Sequence, residues 1–420
     1  MVWFSREAPA TVVGTVSIAH FLSHVFLLAY PPLFPLLAVE FGVSTASLGL
    51  LVTAIYVPQL LLQLPLGEVV DRVGAKWVLV SGLALTSFAI GISGLATSYW
   101  ILLGCALLSG VGQSVFHPAD YALIETVTTT DNQGTAFSAH TFGGFAGFAA
   151  APLIIGTIGI AIDWQVALLG VGAVGVLAAA GVALAIGPVH AAHLRARSET
   201  EHATADEEDD SDDGALVRDL LGFVRRFDLF SVFLFYLVSM MALVGLQSFT
   251  TVLATDGYGF AESTANTLLT IHLTATAIGV IAGGPIADRV PFRRVLVSML
   301  LLAAVGTLAL AFGVSSGSYL VALLLATLVG LLFGLALPSR DKFANAIADP
   351  DAVGKSFGFF FTGLSLGAVV SPTLLGLIID VWSPLVAFVV VGGMLAASAA
   401  VVLLAEAISR STSVATAEPG

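Results

Sequence analysis

The chain has 420 residues, 57% of them hydrophobic and only 10% charged, and a mean hydropathy of +0.99. Soluble domains carry about 25% charged residues, so the composition excludes a soluble globular protein and indicates an integral membrane chain. The net charge of −13 argues against nucleic acid as a partner, because phosphate backbones are met with lysine and arginine.

Much of the acidity is local: nine of the fifteen residues from Glu199 to Asp213 are Asp or Glu. The single cysteine, Cys105, lies in an apolar run, which excludes an internal disulfide and any cysteine-based metal cluster. The apolar run that begins at Thr11 is too long for a cleavable signal peptide, and none is expected.

A spanning helix needs about 20 apolar residues. The hydropathy pattern predicts twelve, at 11–38, 47–67, 77–96, 100–126, 134–160 and 164–187, then 229–254, 262–286, 294–314, 318–347, 353–379 and 383–408. The expected organisation is a six-helix half at 1–187, an acidic linker at 188–228, a second six-helix half at 229–408 and a tail at 409–420. The acidic linker is too polar to bury and is expected to be disordered. Its end, 215–228, puts Leu216, Leu220, Leu221, Val224 and Phe227 on one face and predicts a helix lying on the membrane surface.

Lysine and arginine set the orientation. With the N-terminus inside, all fifteen fall on the inner side, and the outer loops hold only Glu40, Asp163, Asp256, Glu262 and Asp380. Both termini are therefore expected in the cytoplasm of a cell carrying the protein in its plasma membrane.

The two halves repeat. Gly67-x3-Asp71-Arg72-Val73 between spans 2 and 3 returns as Gly284-x3-Asp288-Arg289-Val290 between spans 8 and 9. Further on, at an offset of 220, Ser98-Tyr99 matches Ser318-Tyr319, Gly110 matches Gly330, and Pro118 matches Pro338. Gly143, Gly147 and Pro152 match Gly363, Gly367 and Pro372. Six is even, so the halves are parallel repeats, and such repeats place a substrate site between them near the midplane. The fold class expected is an all-α membrane protein of twelve helices in two parallel six-helix repeats.

Gly67-x3-Asp71-Arg72-x-Gly74-x-Lys76 resembles the loop 2–3 signature of the major facilitator superfamily, with a degenerate second copy at Gly284. Gly110-Val-Gly-Gln-Ser-Val-Phe116-His117-Pro118-Ala119 in span 4 resembles the fosmidomycin-resistance type of efflux protein within it. Gly147-x3-Ala151-Pro152-x3-Gly156 in span 5 resembles the Gly-Pro motif of drug/proton antiporters, with an alanine in place of one glycine. Trp100 to Ser114 lacks the arginine that many proton-coupled members carry in span 4. The resemblance implies a secondary transporter working by alternating access, with spans 1, 4, 7 and 10 lining its cavity.

Ionisable groups inside a span are costly, face a cavity or a partner, and often mark a pathway. Gln113, His117 and Asp120 share one face of span 4 at i, i+4 and i+7. His20 and His24 are i, i+4 neighbours in span 1 at the depth of Gln113 and His117. Imidazoles titrate near pH ~6.5 and suit proton coupling. Two histidines without a cysteine or a carboxylate cluster at their depth do not make a metal site, and none is expected. Gln247 and Ser248 in span 7 and His272 in span 8 are candidate hydrogen-bonding groups, as is His140 in span 5; each alone is more often a contact between helices.

Asp120 and Arg340 correspond in the repeat. They are expected either to form a charge network between the halves, or Asp341 neutralises Arg340 locally. Gly67, Asp71, Arg72, Gly74 and Lys76, with Asp288, Arg289 and Arg293, form the expected cytoplasmic gate, with Arg72 and Lys76 pairing to carboxylates such as Asp120 or Glu125. Gly143, Gly147, Pro152, Gly367 and Pro372 form the expected helix-packing motif.

No nucleotide-binding loop of the Gly-x4-Gly-Lys-Ser/Thr type occurs, and no Gly-x-Ser-x-Gly or His-Glu-x2-His motif. The chain is therefore expected to be no enzyme, to need no cofactor, and to move a small molecule as a monomer in the lipid bilayer, driven by protons or another ion. Efflux of a small amphipathic or anionic compound is the expected direction. An uptake symporter or uniporter is the alternative, and a non-transporting sensor a remoter one.

Overall fold

The computed structural model describes residues 8–129, 131–187, 222–313, 318–350 and 352–415. Among them there is no strand, and twelve helical spans are long and apolar enough to cross a bilayer. In order they are α1 (Pro9–Phe41), α2 (Thr45–Val73), α3 (Ala75–Ser93), α4 (Tyr99–Val127), α5 (Gln133–Ala161) and α6 (Trp164–Ala185). The second set is α7 (Phe227–Gly257), α8 (Glu262–Arg289), α9 (Phe292–Gly313), α10 (Tyr319–Ile347), α11 (Val353–Val381) and α12 (Pro384–Ala415). The acidic run and the first half of the expected surface helix, 215–221, lie outside the described residues.

The chain forms two compact units, Met1–Asp210 and Ser211–Gly420. Each pairs its helices in the same way. In the first unit α1 packs on α5, α2 on α4, α3 on α4 and α3 on α6; in the second, α7 packs on α11, α8 on α10, α9 on α10 and α9 on α12. The sequence repeat is thus also a repeat of packing.

Lipid tails are as apolar as leucine, so helices in a bilayer associate through close packing of small residues rather than through hydrophobic exclusion. The glycine motif acts in this way in both units. A Cβ on Gly147 would lie 2.2 Å from the Phe21 carbonyl oxygen, and one on Gly367 would lie 2.3 Å from that of Leu237. Only glycine lets α5 approach α1, and α11 approach α7, this closely. The outward faces instead carry large apolar side chains, such as Trp100, Leu177, Phe312 and Leu324, suited to contact with lipid.

The prolines act unequally. Pro152 opens a π-helical turn, Pro152–Gly156, within α5, whereas Pro372 sits inside a continuous α11. Likewise α4 breaks at Ser114 and Val115, just before Pro118, while α10 runs unbroken through Pro338. A proline has no N–H for the carbonyl four residues back, and at Pro118 the helix restarts at Phe116. That break lies between Gln113 and His117, next to the polar groups of α4.

The repeated charged segment is not the loop that its polarity implies. α2 continues through Gly67, Asp71 and Arg72 to Val73, and α8 through Gly284 and Asp288 to Arg289. The reversal in the first copy falls on Gly74, whose φ of 98° disfavours any residue with a Cβ. Pro291 follows α8 in the second copy, where a proline stops the helix instead.

Candidate functional site

In the first unit three helices bring ionisable side chains to one point. Asp120 on α4 is fully buried, at 0% exposure. Its Oδ2 lies 3.0 Å from Nδ1 of His20 on α1 and 3.0 Å from Nε2 of His140 on α5. As a carboxylate, Asp120 accepts from both rings, which fixes the proton on Nδ1 of His20 and on Nε2 of His140. The rings of His20 and His140 stack at 3.7 Å between centroids. His24 follows at 4.4 Å from His20 and packs against Phe148.

His117 lies 5.7 Å from His20 between ring centroids and is exposed. Tyr121 sits between His117 and His140, at 5.8 and 5.7 Å. The result is a chain of polar rings from the accessible His117 to the buried Asp120. Gln113 lies apart from it and donates from Nε2 to the Ser23 carbonyl at 2.8 Å, tying α4 to α1.

Local sequence explains the convergence. His140, Gly144 and Gly147 run at i, i+4 and i+7 along α5, the stripe facing α1. A Cβ on Gly144 would meet His24 and His20 ring atoms at 2.6–2.9 Å, so glycine here leaves room for the imidazoles. His140 has a role that its own position in the sequence does not reveal. The usable signal is its place on the glycine stripe that packs against the His20–His24 helix.

Two atoms of the cluster are left over. Asp120 Oδ1 and His24 Nδ1 are buried and have no hydrogen-bond partner among the described residues. Sequence spacing places no carboxylate cluster at the depth of the histidines; in the structure a single carboxylate, Asp120, reaches His20 directly.

The second unit does not reproduce the cluster. Arg340 Nε donates to Asp341 Oδ1 at 2.9 Å, and its guanidinium lies 5.2 Å from the Tyr236 ring. The Tyr236 hydroxyl donates to the same Asp341 oxygen at 3.3 Å. Asp120 and Arg340 thus each hold a partner in their own unit. Gln247 Nε2 and Ser248 Oγ on α7 are buried with no hydrogen-bond partner among the described residues. His272 Nδ1 bonds the Ala326 carbonyl at 3.1 Å, joining α8 to α10.

At the ends of α2 and α8, Arg72 is paired with Glu68 one turn back. Lys76 donates to the Ile186 carbonyl at 2.6 Å. In the second copy, Asp288 pairs with Lys342 of α10 at 2.5 Å, and Lys342 also donates to the Ala287 carbonyl. Arg289 is exposed, and Arg293 lies against the Phe292 ring. Lys342 is the group on the second copy that charge spacing did not single out. Arg226, just before α7, pairs with Asp228 at 2.9 Å and with Asp349; the bonded Asp228 raises its pKa above the usual guanidinium value.

Twelve spanning helices in two packing repeats, with a cluster of ionisable groups buried in the first, are the architecture of a membrane transporter. The Major Facilitator Superfamily model matches residues 16–261 and 229–419, and the chain belongs to that family. It is 27% identical over 375 residues to the fosmidomycin resistance protein of Escherichia coli (strain K12), covering 88% of this chain and 86% of that one. It is 24% identical over 365 residues to multidrug resistance protein 2 of Bacillus subtilis (strain 168), covering 83% and 84%. A solved bacterial homologue of the human lysosomal transporter Spinster, inward-facing and occupied, superposes with a TM-score of 0.76 at 16% identity, covering 96% and 97% of the two chains; that likeness concerns the fold.

Proposed function

We propose that the protein exports a small amphipathic or anionic compound across the plasma membrane by alternating access, in exchange for protons. It works as a monomer with both termini in the cytoplasm, and its two transport halves, 1–187 and 229–408, are joined by the 188–228 linker. The observation that carries this reading is the buried Asp120 with His20 and His140 around it. A carboxylate placed inside a membrane domain is costly, and such groups are retained where a solute or ion passes.

The named relatives, a fosmidomycin resistance protein and a multidrug resistance protein, support export. The absence of a nucleotide-binding loop supports a gradient as the energy source, and the inner-side clustering of lysine and arginine supports the orientation. His20, His24, Gln113, His117, Asp120, Gln247 and Arg340 are the proposed pathway residues. Asp71, Arg72 and Lys76, with Asp288 and Lys342, are the proposed inner gate.

The test is accumulation by everted vesicles of a compound panel that includes fosmidomycin, under an imposed pH gradient. Export predicts uphill accumulation that collapses with the gradient. Accumulation by right-side-out vesicles would replace export with uptake symport. Flux that only runs downhill would leave a uniporter, and binding without flux would leave a sensor.

A further inference from the structure

We propose that His20, His140 and Asp120 form a binding site for a divalent transition-metal ion of the Zn²⁺ or Co²⁺ kind. The donors are two imidazole nitrogens and a carboxylate oxygen, one from each of α1, α5 and α4. All three are buried, and their ligand atoms lie within 4.8 Å of one another.

A tetrahedral ion bound at about 2.0–2.2 Å separates its ligand atoms by about 3.3–3.6 Å. Each nitrogen stands 3.0 Å from Asp120 Oδ2, a few tenths of an ångström short of that separation, and reorientation of the carboxylate and the rings makes the space. Two nitrogens and one oxygen with a fourth position open is the donor count of accessible zinc sites rather than closed structural ones. The same set is too poor in oxygen for Ca²⁺ or Mg²⁺.

A second observation points the same way. Asp120 accepts two hydrogen bonds on one oxygen while Oδ1, equally buried, has no partner among the described residues. A buried polar atom without a partner is costly, and a cation on the carboxylate removes that cost. On binding, each ring gives up its N–H contact to Oδ2, its proton moves to the other ring nitrogen (Nε2 of His20, Nδ1 of His140), and the freed lone pair faces the ion. His117 is the exposed ring of the group, 5.7 Å from His20 between centroids. The ion would hold α1, α4 and α5 together, so its binding is readable without any flux and stands or falls apart from the export reading.

The purified full-length protein in detergent, free of metal, is titrated with Co²⁺, then with Zn²⁺ as competitor and Mg²⁺ as control. Visible absorption reports coordination, and thermal unfolding reports stabilisation. The expected result is one Co²⁺ per chain, displaced by Zn²⁺ but not by Mg²⁺, with a raised melting temperature.

Asp120→Asn and His140→Gln should each weaken binding by at least the 10–100-fold that loss of even an outer-shell partner produces. The linker histidines and carboxylates could also collect metal, so His190, His193 and His202 are replaced together by alanine; this variant should bind as the wild type does. His140→Cys gives a reading that misfolding cannot imitate, since only a ligand at that position adds a thiolate-to-cobalt charge-transfer band absent from the wild type, which already has Cys105. The site is overturned if binding follows the linker histidines, if Mg²⁺ competes equally, if no stoichiometric ion binds, or if folded His140→Cys shows no new band.

Discussion

His140 on α5 and His20 on α1 stack at 3.7 Å and both bond one oxygen of Asp120 on α4. Three helices are therefore pinned through a single buried carboxylate. Removing it leaves two imidazole N–H groups in an apolar interior with nothing to receive them.

Asp120→Ala should lower stability by about 2–6 kcal/mol, from two buried donors left unsatisfied at about 1–3 kcal/mol each. Transport should be abolished by the same change. Unfolding in detergent measures the first effect and vesicle flux the second. A variant as stable and as active as the parent would remove Asp120 from both roles.

The glycines of α5 should divide by what lies opposite them. Gly147→Ala forces a methyl into the Phe21 carbonyl at 2.2 Å and should cost about 1–3 kcal/mol, the usual range for overpacking. Gly367→Ala should behave alike against Leu237. Gly134→Ala, with nothing within 4 Å, should leave the melting temperature unchanged or raise it. Equal effects at all three positions would contradict the packing account.

The two glycines of the repeated charged segment make opposite demands. Gly74 has φ 98° and ψ 133°, a region almost reserved for glycine, so Gly74→Ala should cost about 1–3 kcal/mol. Gly67 is inside α2 with open space around it, and Gly67→Ala should be neutral or stabilising by up to about 1 kcal/mol. Thermal melts of the two variants side by side decide it.

The Asp288–Lys342 pair is solvent-accessible on both sides, so it should contribute little to stability. If it acts as a gate latch, Asp288→Lys should slow flux without moving the melting temperature. The exchange Asp288→Lys with Lys342→Asp should then restore flux. Flux that stays low in the double variant would make the pair a surface contact with no part in gating.

Much of the fold is legible in one dimension. Span number follows from runs of about 20 apolar residues. The repeat follows from matched pairs such as Gly110 with Gly330 and Pro118 with Pro338. Polarity at Asp71 implies a loop, whereas the helix extends beyond the apolar run as far as Val73. His20, His117 and Asp120 stood out because an ionisable group in a span is rare. His140 stands out for the same reason, but its partners do not, since they lie 120 and 20 residues away and no local spacing encodes them.

The sequence by itself determined that the chain is membranous, duplicated and a member of one transporter family, because lipid exclusion and internal duplication both act on residue order directly. Only the tertiary structure decided which polar groups meet. Glycines 143, 144 and 147 let α5 close onto α1, which carries His140 to Asp120 and stacks it on His20. Helix approach distance is set by side chains on two elements at once, and no single stretch of the chain contains that information.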